Sequence, residues 1–123
     1  MAGLTILVVD DDADTRACVA EILEAEKLAV IAVRTGREAL EALERERPAL
    51  LIVDYDISDM TADEFLAAKT SRPAISAIPV IVSTAYTSVV VQGTITAILH
   101  KPFDVDDLLA AVRRCLLPQD ASG

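Results

Sequence analysis

The chain has 123 residues, a length typical of a single domain with one hydrophobic core. Apolar residues make up 53% of it, which excludes a disordered chain, and no apolar run approaches the roughly 20 residues of a membrane-spanning helix. Its 11 basic and 20 acidic side chains give a net charge of −9, which argues against direct binding to nucleic acid or to anionic membranes. No signal peptide or disulfide framework is evident, so we expect a cytoplasmic protein.

Apolar runs and amphipathic stretches alternate along the chain. Short apolar runs predict strands that are buried on both faces, at residues 4–9, 28–33, 49–53, 78–82 and 95–99. Apolar residues at helical spacing predict helices at residues 14–26, 37–46, 62–70 and 104–117. Strands that alternate with helices indicate an α/β domain, in which helices cover both faces of a parallel sheet.

Acidic side chains follow two of the predicted strands. Asp10, Asp11 and Asp12 come after the first strand, and Asp54 and Asp56 come after the third. In sheets of this kind ligands bind outside the carboxyl ends of the strands, so we expect these carboxylates to share one edge. Several ionised carboxylates need a cation beside them, and oxygen ligands of this type suit Mg²⁺.

A hydroxyl and an ammonium are predicted at the same edge. Thr84 follows the fourth strand, and Lys101 follows the fifth. An aspartate carboxylate can attack phosphorus as a nucleophile, while a metal, a lysine and a hydroxyl stabilise the oxygens of the transferring phosphoryl group. For Asp12 and Asp14, near the start of the first helix, capping of that helix is an equally good interpretation.

Four segments in order along the chain carry a family resemblance. They are residues 6–12 (ILVVDDD), 51–57 (LIVDYDI), 79–85 (PVIVSTA) and 101–103 (KPF). Together they closely resemble the receiver domain of two-component response regulators, over roughly residues 4–117. The resemblance implies a doubly wound five-stranded parallel sheet of order 2-1-3-4-5, the flavodoxin-like or CheY-like fold, as one domain over residues 1–123.

The resemblance also implies an activity. Asp54 is expected to take a phosphoryl group from the phosphohistidine of a histidine kinase or phosphotransfer protein, which makes the chain a phosphoacceptor and not a turnover enzyme. Thr84 and Lys101 are expected to contact the phosphoryl oxygens. The Mg²⁺ cofactor is expected to be bound by the carboxylates of Asp10, Asp11 and Asp54. The backbone carbonyl of Asp56 is expected to be a further ligand. A downstream protein or output domain is expected to receive the signal, and a second copy of the chain is a further candidate partner.

The chain departs from the family pattern between the fourth and fifth strands. Residues 85–94 are rich in Thr, Ser and Val without an amphipathic pattern, so we expect a shortened or irregular fourth helix. Ile98 stands where the family usually has an aromatic residue that moves on activation. Tyr86 and Asp56 flank the expected phosphoryl site, and we hypothesise that they tune hydrolysis of the aspartyl phosphate. The alternative, that both side chains simply face solvent, is equally good.

Two other functions stay open at this point. A degenerate receiver would fold in the same way but act as an interaction module that is never phosphorylated. Residues 54–58 (DYDIS) also match the DxDx[T/S] pattern of haloacid-dehalogenase-like phosphohydrolases. Those enzymes need a further acidic pair on another strand, whereas the late acidic residues here fall at the start of a predicted helix.

Overall fold

The computed structural model describes residues 3–86 and 95–116. Within these ranges five strands form one sheet: β1 (Thr5–Val9), β2 (Ala29–Val33), β3 (Leu50–Asp54), β4 (Val80–Thr84) and β5 (Ala97–His100). The helices of the same ranges are α1 (Ala13–Ala25), α2 (Gly36–Glu46), α3 (Ala62–Thr70) and α4 (Val105–Leu116). All strand pairs are parallel in the order β2-β1-β3-β4-β5, which confirms the predicted sheet of order 2-1-3-4-5.

Side chains of the central strands alternate between two apolar layers, because successive residues of a strand point to opposite faces of the sheet. Leu7 and Leu51 pack on one face with helices α2 and α3, where Phe65 is fully buried. Val8 and Ile52 pack on the other face with helices α1 and α4. The central strands are therefore covered on both sides, and in sheets of this kind ligands bind at the carboxyl ends of the strands.

All four described helices begin at a polar side chain that accepts a hydrogen bond from the backbone. Asp12, Thr35, Thr61 and Asp104 precede α1, α2, α3 and α4, and each accepts from the N–H three residues further on, at 3.3, 3.1, 3.0 and 2.8 Å. Such caps satisfy N–H groups that have no partner inside the helix. They fix where the chain leaves the sheet edge and turns into each helix.

Two strands begin two residues later than the apolar pattern predicts, whereas the other three begin one residue later. Strand β4 covers Val80–Thr84 rather than 78–82, and β5 begins at Ala97 rather than at residue 95. Ser83 is buried in β4, in register with Asp54, so polar residues continue this strand where a purely apolar pattern ends. The prediction of a shortened or irregular fourth helix concerns residues 85–94, of which 87–94 lie outside the described residues.

The described helices include none that is both long and apolar enough to cross a membrane.

Candidate functional site

The register of the sheet places two aspartates side by side. Val9 of β1 is in register with Val53 of β3, and the residues that follow them are Asp10 and Asp54. Both aspartates are buried, with 3% and 8% of their surface exposed, whereas the neighbouring Asp11 is exposed. Carboxylate oxygens of Asp10, Asp11 and Asp54 lie within 4.8 Å of one another. The predicted acidic cluster at the carboxyl end of the sheet is therefore formed.

Lys101 lies between the two buried aspartates. Its Nζ is 3.2 Å from Oδ2 of Asp10 and 3.3 Å from Oδ2 of Asp54. Burial alone would lower the pKa of Lys101, but the charges of Asp54 and Asp10 outweigh burial, and the pKa is raised above its ordinary value. The lysine therefore stays protonated and supplies a fixed positive charge at this edge.

The backbone at Lys101 is also fixed at this edge. Its N–H donates a hydrogen bond of 2.6 Å to the carbonyl of Thr84, and the peptide bond between Lys101 and Pro102 is cis. The hydrogen bond joins the end of β5 to the end of β4, next to the carboxylates that the lysine side chain contacts.

Asp10 is supported by contacts that sequence reasoning missed. The Asp12 N–H donates to Oδ1 of Asp10 at 2.9 Å, and a guanidinium nitrogen of Arg16 in α1 donates to the Asp10 carbonyl at 2.7 Å. Burial nevertheless raises the pKa of Asp10, because the favourable Asp12 N–H and Lys101 do not fully offset the loss of solvent and the charge of Asp54. The only sequence signal for the Arg16 contact is a basic residue six positions after a strand-end aspartate.

Asp12 and Asp14 do not belong to the cluster. Asp12 caps α1, and its pKa is lowered chiefly by the hydrogen bond from the Thr15 hydroxyl. Asp14 lies in the first turn of the same helix, where a negative charge is favourable. The capping interpretation is thus confirmed for Asp12, and the run of three aspartates is divided between the site and the helix.

Thr84 and Tyr86 line the side of the site formed by β4. Thr84 is 1% exposed, and its hydroxyl oxygen accepts the Tyr86 N–H at 3.0 Å, an interaction that does not use the hydroxyl hydrogen. The Tyr86 ring packs edge-on against Tyr55, with the ring centroids 5.7 Å apart, and it is 51% exposed. The charge of Asp56 and a hydrogen bond to its carboxylate raise the pKa of Tyr86.

The backbone and the side chain of Asp56 contact different residues. Its N–H lies 3.3 Å from Oδ1 of Asp54, while its exposed carboxylate interacts with Tyr86. The side chain is therefore not part of the three-carboxylate cluster, and only the backbone of Asp56 adjoins Asp54.

The donor set fits Mg²⁺. This ion takes oxygen ligands at about 2.1 Å, usually from one or two carboxylates together with water and phosphate oxygens. Three carboxylates converge here, and Lys101 sets one positive charge against their three negative charges. A divalent cation would supply the missing charge, and the exposed Asp11 leaves the cluster open on one side.

Comparisons with known proteins agree with this geometry. A family model described as the response regulator receiver domain matches residues 6–113. Sporulation initiation phosphotransferase F of Bacillus subtilis is 33% identical over 121 residues, covering 94% of this chain and 96% of that protein. Response regulator Rre1 of Synechocystis is 34% identical over 125 residues, covering 97% of this chain and 54% of that protein. The structure of the chemotaxis response regulator CheY4 of Vibrio cholerae superposes with a TM-score of 0.84 at 28% identity, covering 94% of this chain and 99% of that one.

The parallel sheet, the carboxylate and lysine cluster at its end and the family match over most of the chain lead to one assignment. The chain belongs to the response regulator receiver domain family of two-component systems. Members of this family are generally signalling proteins rather than turnover enzymes.

Ionisation of Tyr86 provides a test of the site's electrostatics in solution. In a Tyr55→Phe background, phenolate absorbance should report Tyr86 alone and give a midpoint above the ordinary value near 10. Asp56→Asn should move the midpoint down, because a negative neighbour disfavours a second negative charge. The difference should shrink in high salt, since Tyr86 is exposed. An unchanged midpoint in Asp56→Asn would contradict the described interaction.

Proposed function

We propose that this domain accepts a phosphoryl group on Asp54 from the phosphohistidine of a histidine kinase or phosphotransfer protein. The observation that carries the proposal is the position of Asp54, a buried carboxylate 3.3 Å from the Lys101 ammonium within a cluster of three acids. One relative at 33% identity is itself called a phosphotransferase, which supports transfer chemistry for this chain as well.

The proposed step moves one phosphoryl group and breaks one bond. A carboxylate oxygen of Asp54 attacks phosphorus, the bond from phosphorus to the histidine nitrogen breaks, and its electron pair returns to the imidazole. Lys101 stabilises charge on a phosphoryl oxygen as the ammonium is shared between Asp54 and the incoming group. The Thr84 hydroxyl donates to another phosphoryl oxygen.

Asp10, Asp11 and Asp54 would bind Mg²⁺ through their carboxylates, and Asp56 through its backbone carbonyl. When bound, the ion neutralises charge that develops on the transferring group. The buried Asp10 would share the ion largely through water, and the exposed Asp11 would bind it directly. Their proximity to Asp54 supports this set of ligands.

The proposed output is a signal, not a released product. Phosphorylation would draw Thr84 toward the phosphoryl group and change the neighbouring surface, which a downstream protein, an output domain or a second copy of the chain would read. We propose a cytoplasmic location for this single domain, and no contact with nucleic acid or membrane. The net charge of −9 supports the absence of such contacts.

Phosphoryl acceptance can be measured directly. The protein is incubated with Mg²⁺ and acetyl phosphate or phosphoramidate, and its intact mass is recorded. We expect an adduct of one phosphoryl group that is absent in Asp54→Asn. Asp14→Asn is the matched control, since it makes the same change at an acid outside the cluster and should retain the adduct.

The other outcomes identify the competing functions. No adduct on the wild type, with the protein folded, would favour a degenerate receiver that acts only as an interaction module. Rapid and repeated hydrolysis of a small phosphate ester would favour the dehalogenase-like phosphohydrolase.

Metal binding predicts a gain in stability. In urea unfolding, Mg²⁺ at ten times its dissociation constant should raise the free energy of unfolding by about 1.4 kcal/mol. Asp11→Ala should remove most of this gain. Asp14→Ala removes an acid of the same type outside the cluster and should keep it. Equal gains in the two variants would contradict the assignment of Asp11 as a ligand.

We further propose that Tyr86 and Asp56 tune the lifetime of the aspartyl phosphate. The exposed Tyr86 ring, packed on Tyr55, would shield the line of water attack, and Asp56 would act through its charge. Loss of the adduct over time should be several-fold faster in Tyr86→Ala than in the wild type. Tyr86→Phe keeps the ring and should retain the slow rate, whereas equal lifetimes in all three proteins would exclude shielding.

A further inference from the structure

The loop after the phosphoacceptor strand is bonded to the start of α2. Asp59 accepts the Gly36 N–H on Oδ1 at 2.8 Å and the Arg37 N–H on Oδ2 at 3.0 Å. We call these two bonds the Asp59 bridge. Although burial opposes it, these N–H donors lower the pKa of Asp59. The bridge joins residues 22 and 23 positions apart, and Thr35 caps the same helix independently.

Next to the Asp59 bridge, the side chain of Met60 packs closely against Gly36 of α2. A Cβ atom placed on Gly36 would lie 2.8 Å from Sδ of Met60, a distance that real Cβ contacts essentially never show. Gly36 is buried and has no positive φ, so a larger residue there would meet the flexible Met60 side chain rather than a strained backbone. Residues 59 and 60 are thus seated on α2 by both polar and apolar contacts.

The segment from Asp54 to Asp59 is therefore anchored at both ends. At one end the Tyr55 N–H donates to the Ser83 carbonyl at 2.8 Å, and at the other the Asp59 bridge fixes the chain on α2. Between these anchors Ile57 is buried in the apolar layer. A buried apolar side chain holds a segment in place without fixing the direction of its carbonyl groups, whereas a pair of hydrogen bonds to one carboxylate is directional.

We propose that Asp59 is a positioning residue for the phosphoacceptor site. Through the Asp59 bridge it sets the backbone of residues 55–58, and thereby the carbonyl of Asp56 that would complete the Mg²⁺ site. This inference rests on the proposed function, because it concerns a ligand of the proposed metal site. Asp59 itself contacts neither the metal nor the phosphoryl group.

The test measures Mg²⁺ affinity by calorimetry with the metal alone. We expect Asp59→Ala to weaken Mg²⁺ binding roughly tenfold, the lower end of what supporting residues around a metal site produce. Thr35→Ala is the matched control, since it removes the cap of the same helix end but leaves the Asp59 bridge. It should lower stability in urea unfolding while leaving the dissociation constant for Mg²⁺ unchanged.

A second variant keeps the size of the side chain. Asp59→Asn has only one acceptor oxygen, so it can keep only one of the two bonds from the Gly36 and Arg37 N–H groups, and it should weaken Mg²⁺ binding by less than Asp59→Ala. This variant also serves if Asp59→Ala does not fold.

The outcomes separate this inference from the proposed function. If the wild type binds Mg²⁺ and forms the Asp54 adduct, but folded Asp59→Ala and Asp59→Asn bind the metal as tightly as the wild type, the positioning role is overturned and the proposed function stands. An equal loss of affinity in Thr35→Ala would also overturn it, because the effect would then follow stability alone. A wild type that binds no Mg²⁺ would overturn the proposed metal site and this inference with it.

Discussion

The Lys101 ammonium between Asp10 and Asp54 is the interaction on which the rest of the site depends. The register of β1 and β3 places these buried carboxylates beside each other, and burial makes their repulsion more costly than it would be in water. Lys101 reaches both at 3.2 and 3.3 Å, so one cation offsets two anions that the sheet itself brings together. The sheet can therefore hold the two buried carboxylates at the ends of β1 and β3, while Asp11 stays exposed to solvent.

Much of this arrangement could be predicted from the sequence. The alternation of apolar runs with amphipathic helices predicts a parallel sheet, and the strand ends of such a sheet share one edge. Asp10, Asp54 and Lys101 could therefore be assigned to one edge before any distance was known. The family resemblance added the order of the strands, which local patterns do not contain.

The parts that were missed are polar and distant in sequence. The contact between Lys101 and Asp10 joins residues 91 positions apart, and its length depends on how β5 ends. The bonds from Arg16 to the Asp10 carbonyl and from Gly36 to Asp59 have no periodic signal, because one hydrogen bond needs only one residue at each end. The predicted end of β4 was wrong for a related reason, since its buried Ser83 interrupts the apolar pattern without interrupting the strand.

The three consecutive aspartates between β1 and α1 have different roles, and this restricts how the connection between these two elements can change in evolution. Asp10 directly follows β1, and the exposed Asp11 belongs to the same carboxylate cluster. Asp12 caps α1, and its N–H donates to the carboxylate of Asp10. An inserted or deleted residue here would shift a ligand and the helix cap at once. The length of the connection therefore cannot drift, and homologous sequences should keep the spacing between the strand-end acids and the helix cap constant.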